Sequence, residues 1–199
     1  MYRATIRGMS NPRQNTLSRI RRASQILRWL FLGVAVLQVP MRIVGWLIYD
    51  QHQPISDQIL LYGLNLMIGP DLLTVPIDLQ QRLLAMAASA LPTAFCVASF
   101  FLLSRLFYLY QQGEIFTVRV VATIRKLGFL IIGTQIVDLI YQALCSVVLT
   151  MHNGVGHRMV SVGLGSDHVE LLMVAAIVIF SSWVMDEGRH MQTELDLTI

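Results

Sequence analysis

Four apolar stretches, residues 26–48, 83–103, 127–151 and 169–185, come near or exceed the ~20 residues that an α-helix needs to cross the ~30 Å hydrocarbon core of a bilayer. The 199-residue chain has 55% hydrophobic and only 14% charged residues, whereas charged residues make up about a quarter of a soluble domain. Lipid is therefore the expected solvent for most of it. A fifth stretch, residues 59–68, is too short to cross. It is interrupted by Tyr62, Gly63 and Asn65 and closed by Gly69-Pro70, which predicts an interfacial or re-entrant helix over residues 56–68.

Lys and Arg are retained on the cytoplasmic side of short loops, and here their distribution is one-sided. Arg3, Arg7, Arg13, Arg19, Arg21, Arg22 and Arg28 precede or open the first stretch. Arg105, Arg119, Arg125 and Lys126 surround the link between the second and third. The loop between the first two has no Lys or Arg from Tyr49 to Gln81 and carries Asp50, Asp57, Asp71 and Asp78, while the last link has only Arg158. Both termini are thus expected inside the cell. The net charge of +3 is spread as topology signals between apolar runs, so no direct nucleic-acid binding is expected. The first stretch is too long for a signal-peptide core and lacks a small-residue cleavage site, so it reads as an uncleaved anchor. Cys96 and Cys145 lie inside apolar runs and are expected to be free thiols.

The expected fold is an all-α membrane protein, a four-transmembrane-helix bundle with both ends inside and helices 2 and 3 extended into the cytoplasm. Residues 1–25 form a basic N-terminus, 26–187 a single membrane domain with an outer loop at 49–82, and 188–199 a tail. Gly113 supplies a turn beside Glu114, Ile115 and Phe116, and Thr117 is a plausible N-cap for a helix through Arg119, Arg125, Lys126 and Gly128 into the third span. From Val118 to Met151 this helix would run ~50 Å at 1.5 Å per residue.

A carboxyl group within the bilayer is costly unless paired, which singles out Asp138. Gln135, Asp138, Gln142 and Cys145 follow one face of the third helix, and Gln38 and Arg42 share a face of the first, with Pro40 between them. At ~1.5 Å per residue, Arg42 lies ~19 Å and Asp138 ~16 Å from the inner ends of their spans, so an Arg42–Asp138 ion pair is expected, most simply to set helix register. On the outer side His52, His152, His157 and His168, near Asp50, Asp167 and Glu170, are suitable metal ligands by type, but their spacing matches no metal motif. No cofactor is expected. Ala90, Ala94 and Ala98 recur every four residues with Ser89, Thr93 and Ser99, a pattern for close helix packing. No nucleophile elbow, Walker loop, dinucleotide fingerprint or zinc-protease helix occurs, so no enzymatic activity is expected.

Two stretches, GEIFTVRVVATIRKLG from Gly113 to Gly128 and EGRHMQTELDLTI from Glu187 to Ile199, resemble the domain of unknown function 2975 family of bacterial membrane proteins. Gly113, Ile115, Phe116, Thr117, Arg125 and Gly128 match that family's turn and basic helix, and Glu194, Leu195, Asp196, Leu197, Thr198 and Ile199 match its closing sequence. The resemblance implies a four-span bacterial inner-membrane protein without an established activity, whose relatives are often encoded beside small helix-turn-helix regulators. The tail alternates Glu194, Asp196 and Thr198 with Leu195, Leu197 and Ile199, the period of a strand able to join a partner's sheet or dock on the basic helix. Taken together, these features favour a membrane anchor, sensor or regulator of a soluble cytoplasmic partner such as a transcription regulator. Self-association is compatible with this. The alternatives are a small transporter, channel or accessory subunit using the polar faces of helices 1 and 3, and an outer-side metal-binding protein.

Overall fold

A computed structural model describes residues 12–48, 77–114, 116–154 and 156–196, with side chains described over 21–48, 77–114, 116–154 and 156–191. Four helices account for most of it: α1 (Pro12–Ile48), α2 (Leu79–Gln111), α3 (Val118–Thr150) and α4 (Ser166–Asp196). All four are long and apolar enough to cross a membrane, and among the described residues there is no strand. The chain is a multi-pass, all-α membrane protein. The expected helix at 56–68, and His52, lie outside the described residues.

The two central helices begin where the sequence supplies a backbone partner. Asp78 caps α2 and closes a capping box with Gln81, whose side chain accepts from the Asp78 N–H at 3.0 Å. Gln81 also donates to the Val148 and Leu149 carbonyls at 3.1 Å each, satisfying two of the last carbonyls of α3 and tying the two helix ends together. At the opposite end Gly113 adopts φ 84°, a left-handed turn that a side chain resists, and Thr117 caps α3 by accepting from Val120 N–H. Both central helices have 33 residues, about 50 Å, which is longer than the ~30 Å hydrocarbon core requires.

Packing proceeds in sequence order, α1 on α2, α2 on α3 and α3 on α4. At the basic end Phe31 stacks on Phe107 (5.5 Å) and Phe100 (6.1 Å), and Arg28 lies over the Tyr108 ring at 4.5 Å. At the far end Trp46, Ala85, Tyr141, Cys145 and Leu149 form a buried cluster, and Arg82 donates to the Leu47 carbonyl at 2.7 Å. Arg82 and Arg105 thus bracket α2 at a separation of about 35 Å, close to the bilayer's apolar thickness. Large apolar side chains such as Ile177, Phe180 and Trp183 on α4 point outward, as lipid contact requires.

Two expectations are corrected. The described part of the tail is not a strand: α4 continues without a break to Asp196, and residues 197–199 lie outside the described residues. Extending an existing helix adds one hydrogen bond for each residue fixed, whereas six alternating residues form a strand only beside a sheet. The fourth crossing also differs in shape. Its helix starts at Ser166, level with the middle of α3, and the preceding segment lies back along α3.

Candidate functional site

The polar side chains of α3 divide between two neighbours. Tyr141 and Cys145 face the cluster shared with Trp46 and Ala85, while Gln142, Ser146 and Thr150 hold the segment that leads into α4. Along this segment the N–H groups of Met159, Ser161 and Gly163 donate to Thr150 Oγ1 (3.3 Å), Ser146 Oγ (3.0 Å) and Gln142 Oε1 (3.0 Å). Every second residue of the strap meets every fourth residue of the helix. Two extended residues advance about 6.6 Å and four helical residues about 6.0 Å, so the two repeats stay in register over three contacts. Val160, Val162 and Leu164 face outward between these contacts and are 68%, 50% and 72% exposed. The strap is amphipathic, with a backbone edge satisfied by α3 and an apolar edge directed away from the protein.

Where the strap becomes α4, the polar row ends on Asp138. Its Oδ2 accepts from Gln142 Nε2 at 3.0 Å and lies 3.2 Å from His168 Nε2. The other ring nitrogen of His168 is 3.3 Å from Asp167 Oδ1, and the imidazole itself is buried. Asp167 sits in the first turn of α4, where a negative charge is favoured by the helix dipole. One imidazole thus spans two carboxylates. A doubly protonated ring donates to both, whereas a neutral ring donates to only one at a time.

The ion pairs among the described residues include none between Arg42 and Asp138; the pairs are His168 with Asp138 and Asp167, Arg125 and Arg189 with Asp186, and Arg119 with Glu114. Counting along each helix gives a depth but not the side of the helix on which a group lies. α1 packs on α2, and the edge of α3 that carries Asp138 is met by α4. Arg42 instead lines a cavity between α1 and α2, and Gln38 lies beside the Cys96 thiol. Gln135 is buried within α3. Cys96 and Cys145 are free thiols. His152 and His157 do not converge with His168: among the described residues no group of three or more His, Cys, Asp or Glu is arranged to hold a metal ion.

At the basic end Arg125 reaches Asp186 Oδ2 at 3.1 Å, and Arg189 donates to the other oxygen at 3.0 Å. Arg119 pairs loosely with Glu114, and Phe116 is 57% exposed beside them. Lys126 makes no ion pair among the described residues. Ile115 is outside them. α4 approaches closely at Gly128: a Cβ there would stand 2.5 Å from Ile179 Cγ1 and 3.3 Å from the Ala175 carbonyl oxygen. The side chains of Glu194 to Ile199 lie outside the description.

The family model described as a protein of unknown function, DUF2975, matches residues 27–199. The chain belongs to the DUF2975 family. That match takes in all four crossing helices, so the family's common unit is the whole membrane domain rather than the two motifs alone. No curated protein and no solved structure matches this DUF2975 chain. Within it Gly128 has a packing reason to be glycine, and Thr117 a capping one.

Asp186, Ser146, Thr150 and the strap are the site residues that sequence reasoning missed, and His168, read there as an outer-side metal ligand by type, instead meets Asp138. Two signals were available. Val160, Val162 and Leu164 alternate with Ser161, Gly163 and Gly165, the period of an extended segment with one apolar edge. Ser166 followed by Asp167 is a helix start earlier than the first wholly apolar turn.

Proposed function

We propose that the protein is a non-catalytic membrane anchor and regulator that presents a surface to a soluble partner on its basic side. By the distribution of Lys and Arg this side is the cytoplasm of a bacterial cell, with both termini there and the helices crossing the inner membrane. The observation that carries the reading is the helix length, in excess of what a bilayer needs, gathered at the basic end. α2 continues about 9 Å past Arg105, α3 begins about 14 Å before Leu127, and α4 continues about 16 Å past Met185. Exposed Phe116, Val118 and Arg119 give that projection both apolar and cationic contacts. A transcription regulator of the helix-turn-helix kind is the partner class suggested by the family resemblance. The test is affinity capture in mild detergent with full-length protein and with a form lacking residues 194–199. Specific capture that weakens on truncation supports the reading, and no specific partner with either form refutes it.

A transport reading draws support from the Asp138–His168 contact, since a buried carboxylate–imidazole pair is a recurrent element of proton paths. It requires Asp138→Asn to fold normally and to abolish a proton-coupled flux in vesicles. In the anchor reading the same variant captures its partner as well as wild type.

A further inference from the structure

The cavity of about 470 Å³ between α1 and α2 falls within the ~300–1,000 Å³ usual for small-molecule sites. Small side chains on α2 open it: Ala87, Ala90 and Ala94 stand where larger residues would meet Val39 and Ile43 of α1. All three alanines are exposed, so the cavity opens sideways, toward lipid. Its lining includes one ionic group, Arg42, which is half-buried and makes no ion pair among the described residues. The two hydroxyls in the wall are already engaged, Ser89 with the Met86 carbonyl at 2.7 Å and Thr93 with the Ser89 carbonyl at 2.6 Å. A guanidinium is therefore the donor left for an occupant, and among the described residues no acidic one lines the cavity to favour a cation.

Depth narrows the occupant further. Arg42 lies about 9 Å along α1 from Ile48 and about 21 Å from Arg28, inside the apolar slab and in the leaflet opposite the basic end. The phosphodiester of a bilayer lipid is permanently charged and stays at the interface. A carboxylic acid can pass the apolar region as its neutral form and ionise beside a guanidinium, releasing its proton to water. From this geometry we infer that the α1–α2 cavity is a binding site for a single-chain carboxylate amphiphile, with its carboxylate on Arg42 and its chain along the alanine-lined wall. The inference goes beyond the partner reading and does not depend on it.

The probe is radiolabelled palmitate, added to full-length protein in nanodiscs of zwitterionic phosphatidylcholine. Saturable binding of one palmitate per chain is expected. Arg42→Gln should weaken it about tenfold or more, the loss of one charge-assisted contact, while Arg42→Lys should bind between the two. Ala90→Phe, on the open wall and away from any ion pair, should abolish binding with the charge intact. Hexadecylamine and phosphatidylglycerol should not displace the probe. Unchanged affinity in Arg42→Gln or in Ala90→Phe overturns the proposal, as does equal displacement by phosphatidylglycerol, which marks an ordinary lipid contact. Absence of saturable binding to wild type overturns it too. Should Arg42→Gln fail to fold, Arg42→Lys and Ala90→Phe decide.

Discussion

Replacing Gln142 by Leu removes both polar contacts of one buried side chain while nearly conserving its volume, so the effect reports hydrogen bonding rather than a cavity. Two bonds go: the amide donation to Asp138 Oδ2 at 3.0 Å and the acceptance from Gly163 N–H at 3.0 Å. In soluble-protein terms the first, to a carboxylate, is worth about 1.5–3 kcal/mol and the second about 0.5–1.5 kcal/mol. Interhelical bonds in membranes average only about 0.6 kcal/mol each, because the separated helices find other partners. The strap has less choice, since its extended backbone has no helical ladder of its own to return to. A loss of about 2 kcal/mol is expected. The assay is amide hydrogen exchange at Gly163 and Ser161 in nanodiscs, where 2 kcal/mol appears as roughly 30-fold faster local opening at Gly163. Ser161, held separately by Ser146, should accelerate less. If Gly163 exchanges at the wild-type rate in a folded Gln142→Leu protein, the strap is not held by α3 and the reasoning fails.

Two further outcomes follow from side-chain placement. Gly128→Ala puts a methyl group against Ile179 and the Ala175 carbonyl, so it should destabilise the α3–α4 contact by about 1–3 kcal/mol. Unfolding in mixed micelles should show partial recovery when Ile179→Ala is added, and strict additivity of the two losses would count against close approach at that point. In a double-mutant cycle, Asp138→Asn and His168→Gln should couple by about 0.5–3 kcal/mol, whereas Asp138→Asn and Arg42→Gln should be additive within about 0.5 kcal/mol. Reversed couplings would reinstate the ion pair that depth alone had indicated.

The crossing count was legible in the residues because it depends on one-dimensional quantities. A run of apolar residues either reaches across the hydrocarbon or does not, and an unpaired backbone in lipid leaves helix as the outcome for each run. The turn at Gly113 and the cap at Thr117 are local for a related reason: each rests on the conformation or hydrogen bond of a few neighbouring residues. Even the depth of Asp138 follows from counting along a helix.

What the tertiary structure alone decided is which neighbour each polar group meets. Counting residues puts Arg42 and Asp138 at similar depth, yet whether they pair depends on the order of packing and on the azimuth of each helix, and neither is written in the spacing of one segment. His168 was read as an outer-loop residue because the apolar run begins at Val169; it becomes a buried partner because the strap doubles back and starts α4 beside Asp138. The strap has no helical period and is too short to cross alone, so its place in the membrane domain depends on a row of acceptors that α3 supplies from 142 to 150.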